Sequence, residues 1–162
     1  MKKKVSMLLV CLTSAVFISG APVDKLHFRL MGFSISPLES DPGNNTYQAL
    51  TMYLPSSEGF SPNVGVQTQP FEGSVKAYAA LSEKQFQQMN IKLLKEKEVG
   101  TNQLVVEYAG ALQSHSLHWY ARAVLKNGRA YLVTATSTER QWSSMGAKLE
   151  NCVDSFELEK GN

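Results

Sequence analysis

The stretch HSLHWYARAVLKNGRAYLVTATST, residues 115–138, constrains this chain more than any other. Leu117, Trp119, Ala121, Ala123 and Leu125 alternate with His118, Tyr120, Arg122 and Lys126, the two-residue period of a strand whose faces differ. Asn127-Gly128 follows, the dipeptide that accepts the paired positive φ angles of a type I′ turn. Ala130 to Thr136 then runs back. A β-hairpin is the firmest structural reading in the sequence.

The remaining elements are placed around it. Lys25 to Ser36 alternates well enough for one strand, residues 37–46 (PLESDPGNNT) form a turn-rich loop, and Gln48 to Leu54 is a short strand. A second loop, PSSEGFSP, leads to a strand over Val64 to Thr68, closed by Gln69-Pro70. Ser74 to Gln88 is a helix with Val75, Ala79, Phe86 and Met89 near one face and Tyr78 beside them. Propensity alone would carry that helix through NIKLLKEKEV to Gly100. Gln103 to Leu112 alternates as a strand, and Gly110 within it marks a bulge or a close backbone approach. Thr138 with Gln141 reads as a capping box opening a helix whose apolar stripe is Trp142, Met145, Leu149, Cys152 and Val153. That helix ends near Asp154, and Phe156 and Leu158 suggest a last short strand. The sum is an α+β fold: an antiparallel sheet of about six strands with two helices packed on it.

The start, MKKKVSMLLVCLTSAVFISGAPVDK, has a basic n-region, an apolar stretch from Val5 to Ile18 and a small-residue end. It reads as a secretory signal peptide over residues 1–20, cut after Gly20, with a single domain over 21–162. The alternative is a retained anchor, although Ser6, Thr13, Ser14 and Ser19 make a poor hydrocarbon span. Cleavage removes Lys2, Lys3 and Lys4 and takes the formal charge from +2 to −1, so nucleic acid drops out as a default partner. It also removes Cys11 and leaves Cys152 alone, with no intramolecular disulfide to form. A domain of about 140 residues can rely on its core instead.

Chemistry is sparse. His115 and His118 would share a face on a helix, but three residues apart on a strand they point to opposite faces, so no metal site is expected there. Of the acids, Glu107 on a strand is the one worth watching, with a solvated sheet face as the competing explanation. Cys152 shares a stripe with Met145 and Leu149 and is expected to be buried and inert. There is no H-E-x-x-H, C-x-x-C, G-x-S-x-G or phosphate loop. No catalytic residue, metal or cofactor is therefore assigned. His118, Tyr120 and Arg122, spaced two apart, form a candidate partner surface, because Tyr and Arg are enriched among interface hot spots. On that reading, changing Tyr120 and Arg122 to Ala would abolish partner capture and leave the melting temperature nearly unchanged. The competing reading places the row beneath a helix or makes it a plain solvated sheet face.

The phrases FSPNVGVQTQ (60–69), SVKAYAALSEKQFQQM (74–89), LHWYARAVLKNGRAYLVTATSTERQW (117–142) and LENCVDSFEL (149–158) resemble the PsbP/DcrB-like family of exported α/β/α domains. The resemblance covers about 100 residues. It implies helices flanking an antiparallel sheet and, in part on this ground, a turn at Asn90 followed by a strand from Ile91 to Glu98. It also implies a helper role: members serve as extrinsic subunits of photosystem II, in envelope processes affecting phage uptake, or as protein-binding modules. A cytoplasmic branch resembles chaperones for toxin effectors, a branch the signal peptide argues against. The first expectation is thus an exported, periplasmic or secreted, non-catalytic domain that binds an envelope or extracellular protein. The second is a carrier of a small hydrophobic ligand or metal ion in a pocket beside the sheet. A third is a hydrolase without a recognised motif.

Overall fold

The computed structural model describes residues 25–38, 41, 43–112 and 114–159; the expected signal peptide lies outside them. The chain divides into two compact units, Met1–Glu39 and Ser40–Asn162.

In the first unit, Lys25 to Ser36 is not one strand. It is a hairpin of β1 (Leu26–Phe28) and β2 (Phe33–Ile35). Gly32 sits at φ +72°, and the amides of Met31 and Gly32 both donate to the Phe28 carbonyl, which closes the turn. The Phe28 and Phe33 rings then stack across the pair at 4.8 Å. Hydrophobic alternation survives a short turn, so the pattern could not reveal the reversal.

The second unit contains β3 (Tyr47–Tyr53), β4 (Asn63–Pro70), α1 (Val75–Gln88), β5 (Lys92–Val99), β6 (Gln103–Leu112), β7 (His115–Lys126), β8 (Arg129–Thr138) and α2 (Glu139–Asp154). The six strands form one antiparallel sheet in the order β3-β4-β8-β7-β6-β5. Its central hairpin turns at Asn127-Gly128, whose φ angles are +53° and +72°. A Cβ on Gly128 would meet only Glu72, at ordinary contact distance. Gly128→Ala should therefore cost only the left-handed backbone penalty, about 1–2 kcal/mol, measurable by urea denaturation.

The end of α1 settles the tension between propensity and strand. Asn90 adopts φ +54°, its amide donates to Gln87 O, and the Ile91 amide donates to Phe86 O at 2.8 Å. This is a Schellman closure with Asn in the left-handed position. Ile91 is thereby thrown across β6, where a Cβ at Gly110 would stand 3.1 Å from its Cγ1. The glycine answers a close approach.

Each face of the sheet carries one helix. Tyr78 and Ala79 of α1 pack with Leu104, Val106, Ala121, Ala123 and Ala130. Leu149 and Val153 of α2 pack with Val64, Val133 and Ala135 on the other side. The capping box of Thr138 and Gln141 is present, and the Gln141 amide also donates to the carbonyls of Ser57 and Phe60, tying the β3–β4 loop to α2. Two further expectations fail. Phe156 and Leu158 form no strand, because the carbonyls of Asp154 and Phe156 accept from the Arg122 guanidinium rather than from a neighbouring strand. Cys152 is half-buried rather than buried, packing at the margin of the α2 core.

Candidate functional site

The register of β7 decides which side chains meet which helix. Opposite Tyr120 stand Glu107 on β6 and Ala135 on β8, and opposite Arg122 stand Val105 and Val133. The row His118, Tyr120, Arg122 therefore faces α2 and is not an open sheet face. His118 is only 5% exposed. Its Nε2 lies 3.1 Å from Glu107 Oε1, its Nδ1 lies 3.2 Å from both carboxylate oxygens of Glu139, and its ring stacks on Trp142 at 4.0 Å. Trp142 can lie there because Gly146, one turn on, has no Cβ: one would stand 3.0 Å from the indole. His115, by contrast, meets the edge of Phe60. The two histidines share no site, and among the described residues no group of three or more His, Cys, Asp or Glu is arranged to hold a metal ion.

Glu107, the acid singled out from sequence, is buried, not on a solvated face. Lys95, its neighbour on β5, donates to it at 2.6 Å. Burial acts to raise the carboxyl, but hydrogen bonds and charge from Lys95 and His118 outweigh it and hold Glu107 below the usual carboxylate range. A depressed carboxylate stabilises the fold above its unfolded value of 4.5, and that contribution is lost as pH falls through the folded value. The urea midpoint should accordingly drop on acidification below pH 4.5, and Glu107→Gln should lack that part of the drop.

Tyr120 and Arg122 are partly exposed but engaged by the domain itself. The Tyr120 hydroxyl donates to Asp154 at 3.1 Å; burial first, and then this acceptor, push it up to about 12. Arg122 donates to Gln103 Oε1 at 2.8 Å and to the Asp154 carbonyl at 2.8 Å. These bonds hold the C-terminal end of α2 to the sheet.

The opposite face carries a feature whose residues the sequence did not disclose. Between α1 and the sheet runs a groove of about 670 Å³. Its floor crosses β4, β8, β7 and β6, where small side chains such as Ala121 and Ala123 leave room that Leu or Phe would fill. Phe86, Tyr108 and Trp119 line it as a continuous stack, at centroid distances of 4.5 and 5.2 Å. Its polar lining residues are Gln67 and Gln69 on β4 and Tyr78, Ser82 and Gln85 on α1. Met89 and Leu112, both more than half exposed, stand in the same lining. Of the helix face named from sequence, Phe86 and Met89, with Tyr78 beside them, line this groove, whereas Val75 and Ala79 do not. The signal that could have revealed it is the pairing of small residues at 121 and 123 with aromatics at 108 and 119.

No helix among the described residues is long and apolar enough to cross a membrane. No curated protein matches the chain. A Pseudomonas aeruginosa protein of unknown function has a similar fold, with a TM-score of 0.61 at 11% identity, covering 85% of this chain and 98% of that one. The solution structure of cyanobacterial PsbP from Synechocystis aligns with a TM-score of 0.48 at 12% identity, covering 91% of this chain and 99% of that one. The sequence model of the PsbP family matches residues 65–158, which run from β4 through the groove, the central hairpin and α2. That span is more than half of the chain: the protein belongs to the PsbP family.

Proposed function

We propose that this PsbP-family domain is an exported accessory protein that works by binding rather than by catalysis, with the groove between α1 and the sheet as its binding element. The observation that carries this is the groove itself: at about 670 Å³ it lies within the size range of small-molecule sites, and its mixture of aromatic walls and a few polar groups is their usual chemistry. The reading thus favours a carrier of a small hydrophobic ligand. Export rests on the basic, apolar and small-residue pattern of residues 1–20. Of the acid–base groups that the fold gathers, Glu107 and Glu139 each bond His118 on the far side of the sheet, and none of the three lines the groove.

An uncharged naphthylamine dye should bind with one-to-one stoichiometry and quench Trp119, with Trp142→Phe removing the other indole's emission. Ser82→Phe, which fills the groove from a half-buried helix position, should abolish binding with little change in melting temperature. Absence of dye binding to the unaltered protein would overturn the reading.

A second reading, capture of an envelope or extracellular protein through Tyr120 and Arg122, is favoured by the partial exposure of both; His118 is too buried to take part. Pull-down from an envelope fraction, compared between the unaltered protein and Tyr120→Phe, tests it: equal capture by both would count against Tyr120.

A further inference from the structure

The chemical class of the ligand can be read from what the groove lacks. Its seventeen lining residues include no Asp, Glu, Lys, Arg or His, although charged residues make up 19% of the chain. An ion entering it would lose hydration and meet no counter-charge, an expensive transfer. The polar groups present are neutral, and three of them, Gln67, Gln69 and Tyr78, form one connected set. Gln67 Nε2 donates to Gln69 Oε1 at 3.5 Å, and Gln69 Nε2 donates to the Tyr78 hydroxyl at 3.2 Å. Each primary amide has two N–H donors and a carbonyl with two lone pairs, so this chain of bonds leaves donors and acceptors over. Tyr78 uses its oxygen as acceptor for Gln69, which leaves its own O–H to donate. Burial raises both the Tyr78 and the Tyr108 hydroxyls, so neither phenol contributes charge in the ordinary pH range. The stack of Phe86, Tyr108 and Trp119 offers mostly apolar and π surface, with the Tyr108 hydroxyl taken up by Thr134.

We infer that the groove takes an uncharged amphiphile, with a neutral hydrogen-bonding head against Gln67, Gln69 and Tyr78 and an apolar body along Phe86, Tyr108 and Trp119. This rests on the groove being a binding site at all, and it adds the ligand's charge and its orientation. Gln69 lies on β4 and Trp119 on β7, two strands away across β8. The head and body positions are therefore fixed on different strands, which gives the ligand a direction.

The test is displacement of the uncharged naphthylamine dye at pH 8 by four compounds with one chain length: dodecanol, dodecanamide, dodecanoate and dodecylammonium. The two neutral compounds should displace the dye, and the two ions should be weaker by about tenfold or more, the equivalent of at least about 1.4 kcal/mol. Gln69→Lys should then strengthen dodecanoate by about tenfold and leave dodecylammonium weak; Gln67→Lys provides the same readout if the first variant folds poorly. Equal affinity across the series, or preference for either ion, would overturn the inference while leaving the groove a binding site. Failure of the dye itself to bind would instead remove the underlying reading. If neither lysine variant strengthens dodecanoate, the assigned head position is wrong.

Discussion

Trp119→Ala should lower the unfolding free energy by about 3–5 kcal/mol, the range for truncating a large buried aromatic. Trp119 is 8% exposed, stacks on Tyr108 and stands opposite Thr136 on β8. Its removal opens a void in the central hairpin where Ala121 and Ala123 are already small. The same change takes away one wall of the groove, so dye affinity should fall together with stability. Trp119→Phe separates the two effects: it restores part of the packing and part of the aromatic stack. Equilibrium urea denaturation measures the first effect and dye titration the second. A loss below about 0.5 kcal/mol in Trp119→Ala, the level of an ordinary surface change, would mean that the indole is not part of the core.

The double variant Tyr120→Ala/Arg122→Ala should unfold on the order of 10 °C below the unaltered protein, a loss of roughly 3 kcal/mol. This opposes the partner-surface reading of the row and accords with the competing one, in which it lies beneath a helix. Arg122 alone connects Gln103 on β6, the last carbonyl of α2 and the carbonyl of Phe156 beyond it. Tyr120 adds the Asp154 carboxylate. Together they fasten the segment after α2, which has no strand of its own to join. Lys at position 122 would keep the charge but lose the planar fork that reaches three acceptors, so Arg122→Lys should recover only part of the stability. An unchanged melting temperature in the double variant would return Tyr120 and Arg122 to the status of a free surface.

Most of the second unit was legible because its signals are local. Asn127-Gly128 specifies its turn, Thr138 and Gln141 specify a helix start, and the stripe from Trp142 to Val153 specifies which side of α2 is apolar. Burial of the His118 row was not legible for a physical reason. Alternation distinguishes two faces of a strand but does not say which is covered, and polar side chains beneath a helix look identical in sequence to polar side chains in water. What makes His118 tolerable in the interior is a pair of carboxylates 11 and 21 residues away along the chain. The groove's lining was not legible for the complementary reason: a pocket beside the sheet was expected only in outline, because small residues on a strand signal space but not which side chains of α1 border it.

The strand order has a consequence for how the chain reaches this state. β5 to β8 form a meander in which each strand pairs with its immediate predecessor through a short turn. Such local pairings close quickly, because little chain entropy is lost in each. The pairing of β4 with β8 has no such advantage: it runs from Thr136 opposite Asn63 to Arg129 opposite Pro70, with α1 and three strands of chain in between. During synthesis the β3–β4 hairpin appears first and its inner edge stays vacant until β8 is complete. For that interval Val64 and Val66 are uncovered beside unpaired backbone amides, the condition under which strands find partners on other chains. The slow, vulnerable step is the docking of an early hairpin onto a late one, and holding β4 apart from neighbouring molecules matters more to a productive yield than the speed of any turn.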